Sequence, residues 1–156
     1  MAQASAQISP SAREAVCEAL NQGVAETAVT TMLAQNFHWN VTGMGFGPLH
    51  ALFQTIYEDH FTAQDDLAER IKALDGHAEG QLAGMLKRSK VAEHDGRAKA
   101  EVMVATLLSA QETLAATMAG IAAVAEENGD LLTQDLAISR GQTHEKFAWM
   151  LRAHLR

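Results

Sequence analysis

From Ser9 to about Val41 the apolar positions recur at three- and four-residue steps: Val16, Leu20, Val24, Ala28, Met32 and Leu33. That spacing predicts an amphipathic helix, with Ser9-Pro10 as N-cap and first helical residue, and Ser11 with Glu14 as an alternative capping box. The run Gly43-Met44-Gly45-Phe46-Gly47 breaks the pattern. Pro48 restarts it at the first position of a second helix, which runs to Asp75-Gly76, where glycine suits a C-terminal cap. Residues 77–94 are mixed, and they predict a connection with one short helix near 80–88. A third long helix is expected from Asp95, as its cap, to Asn128-Gly129. A fourth follows from Asp130, also a cap, to the C-terminus. Period-two runs are absent, so no strand is predicted.

Four long helices joined by a short loop, a long connection and a short loop make an all-α bundle. One long crossover is the arrangement of ferritin-like four-helix bundles, here with a short helix in the crossover. The 156 residues suit one domain, assigned to 9–156 with a short flexible tail at 1–8.

Composition narrows the classes. Cys17 is the only cysteine and reads as a small buried apolar residue. The first residues lack a basic start followed by an apolar run, and no stretch approaches about 18 consecutive apolar residues. The expectation is therefore a cytoplasmic protein with no membrane span. The formal net charge is −7. Residues 42–75 hold six acids against two bases, while no segment is strongly basic. The footprint of a nucleic-acid binder is missing.

The acidic stretch contains the candidate chemistry. His38 near the end of the first helix and His50 near the start of the second flank the glycine break. In antiparallel helices both lie at the same end of the bundle and can face one ion. Asp65 and Glu69, four residues apart, lie about 40° apart on one helix face and can share a metal. His50 and Asp65 are fifteen residues apart on that helix, about 22 Å, too far for one ion. Either the two pairs are unrelated, or they come from different chains. A two-fold dimer with its dyad near Tyr57–Glu58 would bring each histidine pair to the other chain's carboxylates. Two imidazoles and two carboxylates suit ferrous iron and could also take zinc or manganese. No Glu-x-x-His occurs, so the di-iron site of a single bundle is not written here.

The stretch QNFHWNVTGMGFGPLHALFQTIYEDHFTAQDDLAERIKALDG, residues 35–76, resembles the first signature of the Dps mini-ferritins: His-Trp-Asn, a glycine-containing break, Leu-His, then Asp-x-x-x-Glu-Arg. The C-terminal NGDLLTQDLAISRGQTHEKFAWMLRAHLR resembles their second signature. The resemblance covers nearly the whole chain. It implies a four-helix subunit, twelve of which close into a hollow shell, with a ferroxidase site between two-fold-related chains. It implies His38 and His50 as ligands from one subunit, Asp65 and Glu69 from the other, and Trp39 as a neighbour of the site. Ferrous iron would be the substrate, hydrogen peroxide the preferred oxidant, and ferric mineral the stored product, with protection against oxidative stress as the outcome. Asp130 and Asp135, which read as helix N-terminal acids, correspond to acids that ring a three-fold pore in the family.

Two departures matter. Some members carry an acid one turn after the second histidine, where this chain has Gln54, and many DNA-binding members have a lysine-rich tail that it lacks. The competing reading is a nucleoid protein that coats DNA, with incidental iron binding. Residues 1–12 hold no Lys or Arg, so DNA binding is not expected. A cage that has lost its site ranks last, because all four ligand types are present.

Overall fold

The computed structural model describes residues 8–156. Most of the expected tail, residues 1–7, lies outside the described residues. Ile8, assigned to that tail, packs partly buried against the core near Val16.

Among the described residues five helices follow one another: α1 (Pro10–Asn40), α2 (Phe46–Ala73), α3 (Leu82–Arg88), α4 (Ala100–Glu127) and α5 (Leu131–Ala153). The four long ones form the bundle, and α3 lies in the crossover between α2 and α4. The all-α, ferritin-like four-helix architecture is therefore the observed one.

The caps explain most of the boundaries. Ser9 accepts a hydrogen bond from the Ala12 amide at 3.2 Å, and Pro10 opens α1. Asp130 caps α5 by accepting from the Thr133 amide at 3.1 Å. At the end of α4, Gly129 adopts φ +72 and donates to Glu126, while Asp130 reaches back to Ala125. That is a Schellman turn.

Three details differ from the sequence expectation. First, α2 begins at Phe46, so Pro48 is the third helical residue. First-turn amides have no intrahelical partner, so proline costs nothing there. Second, the left-handed residue closing α2 is Asp75 (φ 61), not Gly76. Gly76 is needed for closeness instead: a Cβ there would stand 2.5 Å from the Cys17 sulfur and 2.8 Å from Ile71 Cγ2. Third, Asp95 does not cap α4, which begins five residues later behind Lys99. The Asp95 carboxylate accepts from the Arg97 amide at 2.8 Å, and this local turn, built around Gly96 (φ +76), holds it away from the helix.

The core has two apolar clusters. One contains Phe37, Leu49, Phe53, Ile56, Met103, Leu107 and Leu151. The other contains Val16, Leu20, Val24, Leu67, Ile71, Leu114, Met118 and Ile121. Each fully buried leucine, isoleucine or phenylalanine contributes about 1.5–3 kcal/mol by leaving water. Although α4 has a span apolar enough to cross a bilayer by composition, its stripe Met103–Leu107–Leu114–Met118–Ile121 is bundle core.

Along each helix, a set of buried polar residues separates the two clusters: Thr27 and Thr30 on α1, His60 on α2, Gln111 on α4, Arg140 and His144 on α5. A further buried acid, Glu26, fastens the crossover. It accepts from Gln22 at 2.6 Å, from the Lys90 amide at 3.2 Å and from the Thr117 hydroxyl. Arg88 of α3 pairs with Glu18 and Glu79, which removes one cation from the basic cluster Lys87–Arg88–Lys90.

Candidate metal centre

The glycine break folds α1 and α2 into antiparallel neighbours, so the ends carrying His38 and His50 meet. His38 Nδ1 donates to the His50 carbonyl at 2.7 Å, and His50 Nδ1 donates to the His38 carbonyl at 2.8 Å. A carbonyl only accepts, so each Nδ1 must carry the hydrogen. Of the two neutral tautomers this selects the one whose lone pair is on Nε2, the form in which an imidazole binds a metal.

The two rings stack with centroids 3.7 Å apart and an interplanar angle of 18°. Phe46 stacks on the outer side of His50 at 5.0 Å, and Tyr57 meets His38 edge-on at 5.2 Å. His38 is buried and His50 half-buried. The pair is thus held by backbone and aromatic contacts before any ligand arrives. Gln54, one turn past His50, donates to Glu58 at 2.8 Å. Trp39 is 61% exposed.

Asp65 and Glu69 lie exposed further along α2, and among the described residues neither makes an ion pair within the chain. The single chain does not bring them to the histidines: among the described residues no three His, Cys, Asp or Glu side chains stand close enough to share an ion. The chain thus presents two separate half-sets, one of nitrogen donors and one of oxygen donors.

The expected pore acids have different surroundings. Asp130 is 4% exposed. Its carboxylate accepts from Arg70 Nη2 at 2.9 Å and from the Thr133 hydroxyl, while Arg70 Nε donates to the same hydroxyl at 2.9 Å. Arg70 thus ties α2 to the start of α5, a role the sequence reading missed. Asp135 is exposed on the first turns of α5.

The sequence reading also missed the buried layer between the clusters. Arg140 donates from Nη1 and Nη2 to the two oxygens of Asp59, at 3.2 and 2.7 Å. His60 Nδ1 donates to Asp59 at 2.9 Å, and Gln111 Nε2 donates to His60 Nε2 at 2.9 Å. His144 Nδ1 donates to Gln111 Oε1 at 2.8 Å. Burial alone would raise the Asp59 carboxyl, but its bonds to His60 and Arg140 outweigh that and hold it well below the usual range. Burial pushes both imidazoles the other way, toward neutrality. A signal was present: His60 continues the buried α2 stripe Leu49–Phe53–Ile56–His60–Ala63–Leu67.

Fold and half-sites define a helical-bundle protein that offers nitrogen donors and carboxylates at its surface, the donor classes of an iron site. A family model described as a ferritin-like domain matches residues 17–156. The chain is 34% identical over 142 residues to general stress protein 20U of Bacillus subtilis, covering 91% of this chain and 98% of that one. It is 34% identical over 140 residues to DNA protection during starvation protein 2 of Bacillus anthracis, covering 90% and 96%. The crystal structure of the Dps protein of Vibrio cholerae O1, described as one of the ferritin-like diiron-carboxylate proteins, superposes with a TM-score of 0.91 at 31% identity, covering 96% and 94%. The chain belongs to the ferritin-like family and, within it, to the Dps mini-ferritins.

Proposed function

We propose that this chain is a ferroxidase and iron-storage subunit whose metal site is completed by a second copy. His38 and His50 of one subunit hold ferrous iron against Asp65 and Glu69 of the partner subunit. The observation that carries this reading is the reciprocal hydrogen bonding of the two imidazoles. It fixes both tautomers, leaves both Nε2 atoms free and stacks the rings side by side. Asp65 and Glu69 add negative charge, which favours the ferric product.

Hydrogen peroxide is the proposed oxidant. Each ferrous ion gives one electron, so two ions reduce one peroxide, and consuming it would protect the cell from oxidative stress. The ferric product is stored as mineral inside a closed shell of twelve subunits in the cytoplasm. Exposed Phe61, Leu82, Leu131 and Trp149, between 62% and 82% accessible in the isolated chain, support burial against further copies. Asp135 is the better candidate for an acid that draws cations to the shell, because Asp130 already pairs with Arg70.

The decisive experiment mixes two inactive proteins. A chain carrying His38→Ala and His50→Ala and a chain carrying Asp65→Ala and Glu69→Ala should each fail to oxidise ferrous iron as pure assemblies. Refolded together, mixed dimers should regain one working site. No recovery with mixed dimers present overturns the shared site. The DNA-coating reading has less support, since Arg88 is held by Glu18 and Glu79 and the chain is acidic. We expect no retarded DNA in a gel shift at about 150 mM salt, where surface charge is screened beyond roughly 8 Å.

A further inference from the structure

The buried layer does no work in the proposed iron site, yet it crosses three of the four bundle helices. Its hydrogen bonds converge on Asp59. Arg140 serves Asp59, Asp59 receives the Nδ1 hydrogen of His60, Gln111 donates to His60 Nε2, and Gln111 Oε1 receives the Nδ1 hydrogen of His144. At the end of this series of bonds, His144 Nε2 is buried and has no hydrogen-bond partner among the described residues. Both rings are 0% exposed and meet edge to face at 5.0 Å.

Of the two imidazoles, only His144 can take up a proton without breaking a hydrogen bond. His60 Nε2 is already occupied by the Gln111 amide, whereas His144 Nε2 holds an open lone pair. A proton there creates a buried cation whose new N–H has no acceptor, and such a group is costly in a bundle core. Among the neighbouring charges only Asp59 favours a proton on His144, and burial, His60 and Arg140 oppose it. From α2 the facing groups are Asp59 and His60; from α5, Arg140; from α4, the uncharged Gln111. From α1 the layer has the hydroxyls of Thr27 and Thr30, also without partners. The one carboxylate, Asp59, is already committed to both Arg140 nitrogens and to His60.

We propose that the Asp59–His60–Gln111–His144 layer is an acid-sensitive latch that joins α2, α4 and α5: it excludes protons while closed, so acid favours its opening. The latch sits at mid-height between the two apolar clusters, so its release loosens the centre of the bundle rather than a frayed end.

The sign follows from linkage. Burial drives the His144 imidazole down to about 2 and lowers His60 too, against an ordinary value of 6.5. Above 6.5 folded and unfolded chains are both neutral at these sites, and nothing is lost. Below 6.5 the unfolded chain binds protons that the folded chain refuses, so stability falls as pH falls. Each buried histidine raises the unfolding equilibrium about tenfold per pH unit in that window.

The test compares the native protein with His144→Asn, which keeps a donor for Gln111 Oε1 but does not titrate, and with His144→Phe, which keeps the ring volume. Urea unfolding is followed by circular dichroism from pH 7.5 to 4.5. The expected result is that either variant is less stable at pH 7.5 but has a flatter pH dependence, by about tenfold per pH unit below 6.5. Equal slopes in variant and native protein overturn the latch. If neither variant folds, the native protein still decides: the C2–H exchange rates of His60 and His144, read by mass spectrometry against pH, report their protonation in the folded state. Neither ring should protonate near 6.5 while the bundle is intact. A normal titration of His144 in the folded protein overturns the proposal.

Discussion

Two histidine pairs, built from the same side chain, are fitted for opposite tasks. In the pair at the glycine break, His38 and His50, each Nδ1 donates to a backbone carbonyl. In the pair at mid-bundle, His60 and His144, each Nδ1 donates to a side chain. The outer rings stack at 3.7 Å near the end of a helix pair, His50 half-buried and His38 beneath it, and neither Nε2 has a hydrogen-bond partner among the described residues. The inner rings are sealed in the core, and their Nε2 atoms face an amide or nothing. What a histidine can do is thus set by where its second nitrogen is left, rather than by its presence in a helix. On the proposed reading, the open and oriented lone pair at the glycine break serves a metal, and the same lone pair in the core is a point of acid weakness.

The sharpest way to break this comparison is to delete one ring from each pair. Replacing His38 with alanine should reduce ferrous iron oxidation by more than about 100-fold, the upper range for loss of a group that merely supports a ligand. Urea unfolding should shift by only about 1 kcal/mol, because His38 lies near a helix end and gives up one net hydrogen bond there. Replacing His60 with alanine should do the reverse. It should cost about 3 kcal/mol through the cavity and the orphaned Gln111 amide, while the folded fraction keeps its oxidation rate. Absorbance of the ferric product and urea midpoints measure the two halves. If both variants lose both properties, the pairs are not separable.

The acid side of the inner pair can be sharpened next. Arg140→Met removes the guanidinium that holds Asp59, leaving a half-buried carboxylate with His60 alone. The expected loss is about 2 kcal/mol at pH 7.5, below the usual cost of breaking a buried pair because Asp59 keeps some contact with water. The carboxyl of Asp59 is held below its ordinary 3.8 in the folded chain. Its contribution is therefore complete above 3.8 and disappears as pH falls below that value. Native protein should lose stability in two stages, first below 6.5 from the histidines, then below about 4 from Asp59. In Arg140→Met the second stage should shrink.

The two pairs were not equally legible in the sequence. His38 and His50 flank a run of glycines, so the helix break itself told that they meet. Asp65 and Glu69 could be placed on one face by helical arithmetic. The inner layer escaped because its members lie on three helices, far apart in the chain, and form no motif. Periodicity still carried a hint, since His60, Gln111 and His144 fall on the buried stripes of α2, α4 and α5. A polar residue in register with an apolar stripe asks for a partner, but the sequence does not say which helix supplies it. The same limit explains Asp95. A capping residue before a helical pattern looks correct by type, and only the turn at Gly96 shows that its carboxylate is used elsewhere.

Carboxylates repeat the contrast between tied and open groups on a smaller scale. Asp130 is closed: it caps α5, receives Arg70 and is almost fully covered. Asp130→Ala should cost about 1–2 kcal/mol, the loss of a cap together with a buried charge-assisted bond. A change in iron uptake by that variant would be hard to separate from this damage.

Asp135 is open, and it yields the smallest and most specific effect. Asp135→Asn removes one negative charge from an exposed position in the first turns of α5 and breaks no ion pair among those described. Stability should change by less than about 0.5 kcal/mol, as for a surface substitution. If copies of this acid line an entry for cations, iron uptake should slow about threefold at low ionic strength, and the difference should fade near 0.15 M salt as the local field is screened. Oxidation at saturating iron should stay unchanged, because the substitution touches neither imidazole and neither carbonyl that anchors them. A slowing that persists at high salt would mean a local binding role in place of steering. Unchanged uptake at every ionic strength would mean that Asp135 does not gather iron, and, with Asp130 already tied to Arg70, the entry route would have to be sought elsewhere.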